Sequence, residues 1–410
     1  MRKKGKFTFY DLVWALSLPG LACYPKLKPF KPRIIPNSTQ AEVLIQAASV
    51  GEAKMAVLLA QGLRTIWPEL KILISTNTIQ GKEIVLSKGE KHVFFPFDFS
   101  PTIRRFLDQI NPKLVLVLET EIWPNFFRIC KQKNIPILLL NARLRPRSLS
   151  RYLLFQSVLE PIGPSSIYSI SPQDGKRFEF IFPQAQIKTM SNLKFELINP
   201  KGPIPYLKNP LNQFISPQLR LIVFGSVRTQ EETDLLWVIE KYLKRHPKTA
   251  LAIFPRHMER ISAWQQHLSK RQINFVLRTK LSKKLAFGQV VLWDKIGELN
   301  FAYALAQKVF VGGSLAPLGG QNFLEPLEQG IKPIIGPSWF NFEWVGQDIF
   351  ARNLVYPVEN KEQLLAALEK VSPPKRDQTF KQFFNYLKEK KGGLDFVLGQ
   401  IRPLLRNHSR

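Results

Sequence analysis

Acidic residues stand at the ends of two apolar runs, where a parallel sheet would place its chemistry. Glu119 and Glu121 follow residues 113–118, and Glu52 follows residues 42–47 after a short turn. One carboxylate is enough to cap a helix, so the pair Glu119 and Glu121 indicates a site rather than a cap. Glu52 falls in the first turn of a predicted helix. Taken alone, it is more simply interpreted as compensating the helix dipole, an effect of about 0.3–1 kcal/mol.

A glycine-rich stretch, residues 311–343, begins at the end of an apolar strand and includes a predicted helix and a second strand. Gly312 and Gly313 allow a tight turn that brings backbone N–H groups toward a ligand. Asn322 is expected to cap the helix, whose N-terminus favours a phosphate or carboxylate, and Glu325 could bind a sugar diol. The stretch therefore predicts a phosphate and ribose site. A turn that serves packing alone is the alternative.

Strands and helices alternate along the chain, which indicates the α/β class. Apolar runs predict strands at residues 42–47, 71–75, 92–95, 113–118 and 135–140, and again at 221–224, 250–254, 275–277, 290–292, 309–311 and 333–335. Helical patterns separate them, for example at residues 52–67, 101–110, 122–133, 299–306 and 322–329. Two Rossmann-like domains facing a central cleft are the expected architecture, with the chemistry at the carboxyl ends of parallel strands.

The predicted organisation has five parts. They are a membrane-associating segment at residues 1–35, a first Rossmann-like domain at 36–198, a linker rich in Pro, Asn and Lys at 199–217, a second Rossmann-like domain at 218–375 and a helical tail at 376–410.

The charge balance is strongly basic, with 59 Lys and Arg against 31 Asp and Glu and a net charge of +28. Such an excess attracts nucleic acid, anionic lipid or a phosphorylated substrate. Nucleic acid is not expected, because the basic residues are scattered and the sequence has no zinc-finger spacing or RNP-like strand. The two cysteines, Cys23 and Cys130, are far apart in the sequence, which excludes a disulfide scaffold and fits a reducing compartment.

The N-terminal segment combines the basic start MRKKGK with an apolar stretch that Asp11 and residues 19–20 interrupt. About 20 apolar residues are needed for a spanning helix, so a full membrane span is not expected. We expect the segment to lie in the membrane interface. Its aromatic anchors would be Phe7, Phe9, Tyr10 and Trp14, and its basic residues Arg2, Lys3, Lys4, Lys6, Lys26, Lys28, Lys31 and Arg33. A helix docked on the protein's own surface and a secretory signal are the alternatives.

Seven motifs in order resemble those of the 3-deoxy-D-manno-octulosonic acid (Kdo) transferases of lipopolysaccharide synthesis. They are ASVGE, ETEIWPN, LNARLRPRSLSRY, SNLKFEL, FPRHMERI, GELNFAYALA and VGGSLAPLGGQNFLEPLEQG, and the similarity runs from about residue 8 to about residue 350. The resemblance implies a glycosyltransferase-B (GT-B) fold, a cytidine monophosphate (CMP)-activated Kdo donor and a lipid A precursor as acceptor. It also implies inverting transfer without a metal or other cofactor, by a peripheral or N-terminally anchored protein at the cytoplasmic face of the inner membrane.

Catalytic roles follow from the resemblance residue by residue. Glu52 matches the family's proton acceptor, Lys194 the lysine proposed to stabilise the transition state, and Glu121 the matching acid, with Glu119 less favoured. Without the resemblance, Lys194 would be taken for an exposed linker lysine. The donor-binding set comprises Pro255, Arg256, Ile296, Gly297, Glu298, Asn322, Phe323, Leu324 and Glu325, and the acceptor candidates are Ser49, Gly51 and Arg143. His257 is as readily a packed strand-end residue.

A basic rim with an apolar lip is expected to face the membrane-embedded acceptor. Its candidates are Arg143, Arg145, Arg147 and Arg151 with Leu144, Leu149, Tyr152, Leu153 and Leu154, and a solvated basic helix is the alternative.

Four departures from the family's pattern bear on the donor and the catalytic turn. Gln321 and Gln46 stand where histidine is usual, Ser191 replaces a glycine, and residues 224–232 differ from the usual GST-H-x-G-E-E. Another nucleotide-sugar GT-B transferase or epimerase, and a non-catalytic nucleic-acid binder, remain the rival functions.

Overall fold

The computed structural model describes residue 7 and residues 10–17, 39–370 and 375–406 of the 410-residue chain. Phe9, Cys23 and all basic residues assigned to the membrane-associating segment lie outside these ranges. The chain forms two compact units, Met1–Ile198 with Lys390–Arg410, and Asn199–Glu389. Residues 390–410 thus belong to the first unit, whereas the sequence suggested a separate tail, and the suggested linker belongs to the second unit.

The first unit is built on a seven-stranded parallel sheet in the order β3-β2-β1-β4-β5-β6-β7. Its strands are β1 (Val43–Ala47), β2 (Ile72–Thr76), β3 (His92–Phe94), β4 (Leu114–Leu118), β5 (Ile137–Ala142), β6 (Ser166–Ser169) and β7 (Gln186–Thr189). Its helices are α1 (Val50–Ile66), α2 (Ile79–Ser87), α3 (Ser100–Ile110), α4 (Pro124–Gln132), α5 (Pro146–Leu154), α6 (Gln156–Leu159) and α7 (Pro172–Ile181).

Apolar side chains cover both faces of this sheet, as a parallel sheet requires. Val43 and Ile45 of β1 join Leu59 of α1 in one core cluster. Leu44 points to the opposite face and joins Phe106 of α3 and Phe126 of α4 in a second cluster. All three strand residues are 0% exposed, so β1 is the centre of the unit.

The last helix of the chain returns to the first unit. Val397 and Ile401 are 0% exposed and belong to the cluster on the α1 face. Gly62 of α1 permits this approach, because a Cβ there would lie 3.0 Å from the Cδ1 of Leu394. The helix therefore completes the cover of the sheet.

Residues 10–17 form a helix that docks on the protein's own surface, the alternative to the expected membrane anchor. The Tyr10 hydroxyl donates to Asp98 over 3.1 Å, and the Asp11 carboxylate accepts from the backbone N–H of Ser100 over 3.0 Å. Trp14 packs against Phe97 with ring centroids 5.7 Å apart. Tyr10 and Trp14 thus face their own domain rather than lipid head groups.

The other side of this helix exposes Leu12, Val13 and Leu16. Within the described residues, no helix has the length and apolar character that a membrane crossing requires.

The second unit repeats the plan with a seven-stranded parallel sheet in the order β10-β11-β9-β8-β12-β13-β14. Its strands are β8 (Arg220–Val227), β9 (Thr249–Pro255), β10 (Phe275–Leu277), β11 (Val290–Leu292), β12 (Lys308–Val311), β13 (Ile334–Ile335) and β14 (Tyr356–Pro357). Its helices are α8 (Glu232–Arg245), α9 (Ile261–Lys270), α10 (Leu299–Leu305), α11 (Leu324–Glu328), α12 (Asp348–Ala351), α13 (Lys361–Lys370) and α14 (Arg376–Lys390). The last helix of the chain, which packs on the first unit, is α15 (Gly393–Arg406).

Truncation of Ile401 to alanine is expected to destabilise the first unit by about 2–5 kcal/mol, because the side chain is fully buried and its loss leaves a cavity. Urea titration read by hydrogen exchange of the β1 amides measures this. The neighbouring exposed Arg402→Ala is the control and should change the free energy of unfolding by less than about 0.5 kcal/mol. Equal effects of the two substitutions would contradict the packing of α15 on this unit.

Candidate active site

Glu52 lies at the third position of α1, in the turn that follows β1. The Ser49 hydroxyl caps the helix by accepting from the Glu52 N–H over 3.3 Å. The Glu52 carboxylate in turn accepts from the Ala48 N–H over 2.8 Å and from the Ser49 hydroxyl over 2.7 Å. These contacts satisfy backbone donors at the helix start and are similar to a capping box, but the carboxylate accepts from the N–H of Ala48 rather than from that of the cap residue Ser49. Glu52 therefore has a structural role at the helix start, through these hydrogen bonds as well as through the dipole compensation that the sequence alone favoured.

The environment of Glu52 also raises its basicity. Burial raises the pKa of the carboxyl above its usual range, and the nearby Glu119 charge adds to this, although hydrogen bonds from Ser49 and Ala48 oppose it. The side chain is 5% exposed. A carboxylate with a raised pKa is a better proton acceptor near neutral pH. The geometry therefore supports a base as well as a cap.

Glu119 and Lys194 form an ion pair, with Nζ 2.6 Å from Oε1. Glu119 directly follows β4 and adopts a left-handed backbone conformation with φ 56°. A non-glycine residue in this region is uncommon and costs about 1–3 kcal/mol, so the surroundings must hold it there. The residue that the resemblance disfavoured is thus the one that contacts Lys194.

Glu121 follows two residues later and is partly buried. Burial, and after it the negative charges of Glu52 and Glu119, raise the pKa of this carboxyl to about 7. The pKa shifts therefore couple Glu121 to Glu52. Because β1 and β4 are adjacent parallel strands, their carboxyl ends bring the acids of both turns together.

A network of asparagines holds Lys194 in place. The Lys194 N–H donates to Asn192 Oδ1 over 2.9 Å, and the Leu193 N–H donates to Asn141 Oδ1 over 2.8 Å. Asn141 lies near the end of β5 with φ 55° and is 1% exposed. Lys194 is therefore no loose linker residue. Asn141 belongs to the motif LNARLRPRSLSRY, but its role as the support of Lys194 was not predicted.

The acceptor candidates lie on the same turns. Ser49 is the cap of α1 and, with Val50, forms the exposed part of that turn. The carbonyl of Arg143 accepts a hydrogen bond from the Thr120 hydroxyl, which joins the turn after β5 to the turn after β4. A Cβ on Gly51 would meet only the Ser49 hydroxyl, 3.9 Å away, so nothing crowds this point.

The glycine-rich turn of the second unit differs from the prediction. The expected bare N–H groups are already bonded: Gly312 donates to the carbonyl of Gly225 over 2.8 Å, and Gly313 donates to the carboxylate of Glu231 over 2.5 Å. The turn is therefore not an open phosphate cradle. The contact of Glu231 with this turn was not predicted, because Glu231 follows β8 and is separated from the turn by about eighty residues in the sequence.

Asn322 and Glu325 do present polar groups at the start of α11. The Asn322 amide donates to Glu325 Oε1 over 2.9 Å, and its oxygen accepts from the Leu324 N–H over 3.2 Å. Burial raises the pKa of Glu325, while this amide and the charge of Arg256 lower it. Phe323 and Leu324 are 1% and 3% exposed, so only their backbone could contact a ligand. The helix begins at Leu324 rather than Asn322.

The loop containing Ile296 and Gly297 is fixed by Glu298. The Glu298 carboxylate accepts from Arg278 Nε over 2.8 Å and from Trp293 Nε1 over 3.0 Å, and Lys295 Nζ lies 2.8 Å away. Although burial raises the pKa of this carboxyl, Lys295 and Arg278 outweigh it and lower the pKa. Glu298 therefore clamps the loop and exposes Ile296 at its tip.

Pro255 is buried at the end of β9, whereas Arg256 and His257 are exposed. The Arg256 backbone N–H donates to the carbonyl of Val227 over 2.8 Å, which anchors the backbone of Arg256 at the carboxyl end of β8. His257 lies 3.7 Å from Glu259 and is not packed at the strand end. Among the described residues, no group of three or more His, Cys, Asp and Glu side chains could hold a metal ion.

The chain is similar in sequence to known transferases. Residues 25–197 match the family described as 3-Deoxy-D-manno-octulosonic-acid transferase (kdotransferase). A 3-deoxy-D-manno-octulosonic acid transferase of Haemophilus influenzae is 31% identical over 376 residues, covering 89% of this chain and 88% of that protein. The chain belongs to the Kdo transferase family. A 3-deoxy-D-manno-octulosonic acid transferase of Bordetella pertussis is 27% identical over 362 residues, covering 85% and 83% of the two chains.

The fold has a counterpart among solved structures. A glycosyltransferase from Rickettsia africae superposes with a TM-score of 0.59 over 90% of this chain and 100% of that chain, at 12% identity. This likeness, with the two parallel sheets, confirms the predicted α/β fold of two Rossmann-like domains in the GT-B class. As a member of this family, the protein is a glycosyltransferase.

Substitution of Glu52 by glutamine is expected to lower the pKa of Glu121 from its value of about 7, because a neighbouring negative charge that favours the protonated form is removed. Carbon-13 NMR of labelled glutamate carboxyls followed through a pH titration measures the shift. Glu69→Gln, at an exposed position of the same unit, is the control. An unchanged Glu121 titration in Glu52→Gln would show that the two carboxyls are not coupled.

Proposed function

We propose that this protein transfers Kdo from CMP-Kdo to the lipid A precursor with inversion at the anomeric carbon, and that Glu52 is the general base. Membership of the Kdo transferase family supports the donor sugar and the transfer. The observation that carries the mechanism is the gathering of Glu52, Glu119 and Glu121 at the carboxyl ends of the adjacent strands β1 and β4, with Lys194 paired to Glu119.

In the proposed step, an acceptor hydroxyl oxygen forms a bond to the anomeric carbon of Kdo. Glu52 accepts the hydroxyl proton as the bond between that carbon and the CMP oxygen breaks, and CMP leaves with the bonding electron pair. The raised pKa of Glu52 suits it to this proton, and Lys194, paired with Glu119, supplies positive charge to the site. Glu121, with a pKa of about 7, is near its midpoint at neutral pH.

On the donor side, the proposed contacts need no metal ion. The single phosphate of CMP can be neutralised by an arginine and backbone N–H groups, and Arg256 is exposed and close enough to Glu325 to lower its pKa. Glu325 and Asn322 would take the ribose hydroxyls. Ile296 and Gly297 would border the nucleotide through the loop that Glu298 clamps.

We further propose that the first unit contacts the cytoplasmic face of the inner membrane through one side of its sheet. Helix α5 exposes Arg147 and Arg151 together with Leu153 and Leu154, and Phe155 directly follows it. Leu144, assigned to this lip from the sequence, is instead 1% exposed and part of the core. Basic and apolar side chains on one surface suit an anionic lipid interface.

The N-terminal helix supports the same orientation. Phe7 beside it and Tyr152 of α5 pack against the same core cluster, so both helices cover one face of the sheet. Leu12, Val13 and Leu16 add apolar surface there, since Tyr10 and Asp11 are turned toward the domain. A membrane-embedded acceptor would be met on this side.

Substitution of Glu52 by glutamine is expected to lower kcat by about 10²–10⁴-fold, because glutamine cannot accept the proton. Glutamine keeps the side-chain volume, its Oε1 can accept from the Ala48 N–H, and its Nε2 can donate to the Ser49 hydroxyl, which can rotate, so the helix start is preserved. The assay incubates purified protein with CMP-Kdo and the lipid A precursor and measures product mass. CMP binding by calorimetry should be unchanged in the variant, as should turnover in Glu69→Gln.

If wild-type protein adds no Kdo mass to the lipid A precursor, the proposed reaction is wrong. If Glu52→Gln retains wild-type turnover, the reaction can stand but Glu52 is only a helix cap. The number of Kdo units in the product is read from the same spectra.

Substitution of Leu154, which is 79% exposed, by serine is expected to weaken binding to vesicles containing an anionic phospholipid by up to about tenfold, through the loss of one buried leucine. Co-sedimentation measures the bound fraction. Leu207, which is 87% exposed in the second unit, offers a matched control, and Leu207→Ser should bind as wild type does. An equal loss of vesicle binding in both variants would contradict the assignment of the α5 surface as the membrane-contacting face.

A further inference from the structure

The carboxylate of Glu231 fills the glycine-rich turn of the second unit. Its Oε2 accepts from the Gly313 N–H over 2.5 Å and from the Arg228 N–H over 3.2 Å. Its Oε1 accepts from the N–H groups of Ser314 and Leu315, each over 2.9 Å. Consecutive backbone N–H groups arranged around one anion form the type of concavity that binds phosphate in other proteins. Here the anion belongs to the chain itself and is 1% exposed.

The turn that Glu231 holds is hydrogen-bonded to the residues that precede α11. The Gly320 N–H donates to the carbonyl of Gly313 over 2.7 Å, and the Gln321 N–H donates to the carbonyl of Gly312 over 3.0 Å. The loop between them therefore closes on the two glycines nearest to Glu231. Asn322 comes next in the chain, so its position depends on where Glu231 holds the turn.

A second set of contacts braces the same loop from β13. The Ser314 hydroxyl accepts from the Gly336 N–H over 2.9 Å, and the Ser338 hydroxyl accepts from the Gly319 N–H over 2.8 Å. Glycine is required at position 336, because a Cβ there would lie 2.3 Å from the carbonyl oxygen of Ser314. The loop is thus held at Ser314 by both Glu231 and the turn after β13.

We propose that Glu231 is a positioning residue for the donor nucleotide: an internal anion that occupies the N–H groups of residues 313–315 and thereby places Asn322 and Glu325. The inference rests on the proposed function, since the nucleotide is CMP. It assigns the phosphate of the donor to Arg256 and to N–H groups outside this turn. The usual role of a glycine-rich turn, direct binding of phosphate, is taken by a side chain.

The adjacent Glu232 provides the contrast that separates this role from general stability. It is also buried, at 4% exposed, but its carboxylate pairs with Arg260 through two hydrogen bonds of 2.9 and 2.6 Å. Glu232 makes no hydrogen bond to the glycine-rich turn among the contacts of the described residues. Loss of either carboxylate removes buried hydrogen bonds, but only loss of Glu231 empties the anion position.

The test measures CMP binding by calorimetry in wild type, Glu231→Ala and Glu232→Ala, in sodium acetate and in sodium gluconate at equal ionic strength. In gluconate, Glu231→Ala should bind CMP about tenfold or more weakly, because several hydrogen bonds to a charged group are lost. Acetate is small enough to enter the vacated position and should restore much of the affinity. It should also raise the melting temperature of Glu231→Ala, but of neither other protein.

Wild-type CMP affinity in Glu231→Ala, or weakened affinity that acetate does not restore, would overturn the proposal. Acetate rescue of Glu232→Ala to the same extent would overturn it as well. If wild-type protein binds no CMP, the proposed function fails instead. The acetate-dependent melting temperature of Glu231→Ala then still decides whether the turn is an anion site.

Glu231→Gln keeps the side-chain volume and serves if the alanine variant does not fold. Its amide nitrogen would oppose backbone N–H groups, so CMP binding should weaken without acetate rescue, because the position stays filled. Unchanged CMP affinity in Glu231→Gln would overturn the positioning role.

Discussion

The ion pair between Lys194 and Glu119 reduces the electrostatic repulsion among the three carboxylates that lie together in the first unit. Adjacent parallel strands β1 and β4 end at the same edge of the sheet, so Glu52, Glu119 and Glu121 are brought together by topology rather than by mutual attraction. Like charges in a partly desolvated place disfavour ionisation. Lys194 pairs with Glu119, while burial first and the neighbouring negative charges second raise the pKa values of Glu52 and Glu121. The fold thereby supplies the carboxylate that the proposed mechanism uses as its base.

The second unit also contains buried or partly buried carboxylates, and different groups stabilise their charge. Glu231 is satisfied by four backbone N–H groups and Glu298 by Arg278, Lys295 and Trp293, so neither carboxylate has much capacity left for a ligand. Glu325 receives one hydrogen bond from Asn322, and its pKa is raised by burial. On this ground the proposed function assigns the nucleotide contact to Glu325 and a supporting role to Glu231 and Glu298.

Sequence patterns predicted the central strands because buried parallel strands are continuous apolar runs, as in residues 114–118 and 250–254. They missed β6 and β7, whose sequences SIYS and QIKT are short and polar. The candidate site residues at strand ends were also predicted, because they are the polar residues that directly follow these apolar runs. Partnerships such as Glu231 with Gly313, or Asn141 with Leu193, join distant parts of the chain and leave no local signal. The return of α15 to the first unit is hidden for that reason too.

The departure at Gln321 can be weighed from these contacts. Its backbone N–H bonds to Gly312, and its side chain lies over Gly313, where a Cβ would be 3.2 Å from both Cγ and Nε2. What fixes Asn322 is thus the backbone of residue 321 and the anion beneath the turn, neither of which depends on an imidazole. Under the proposed role of Glu231, glutamine at this position changes what covers Gly313 and leaves the placement of Asn322 unaltered.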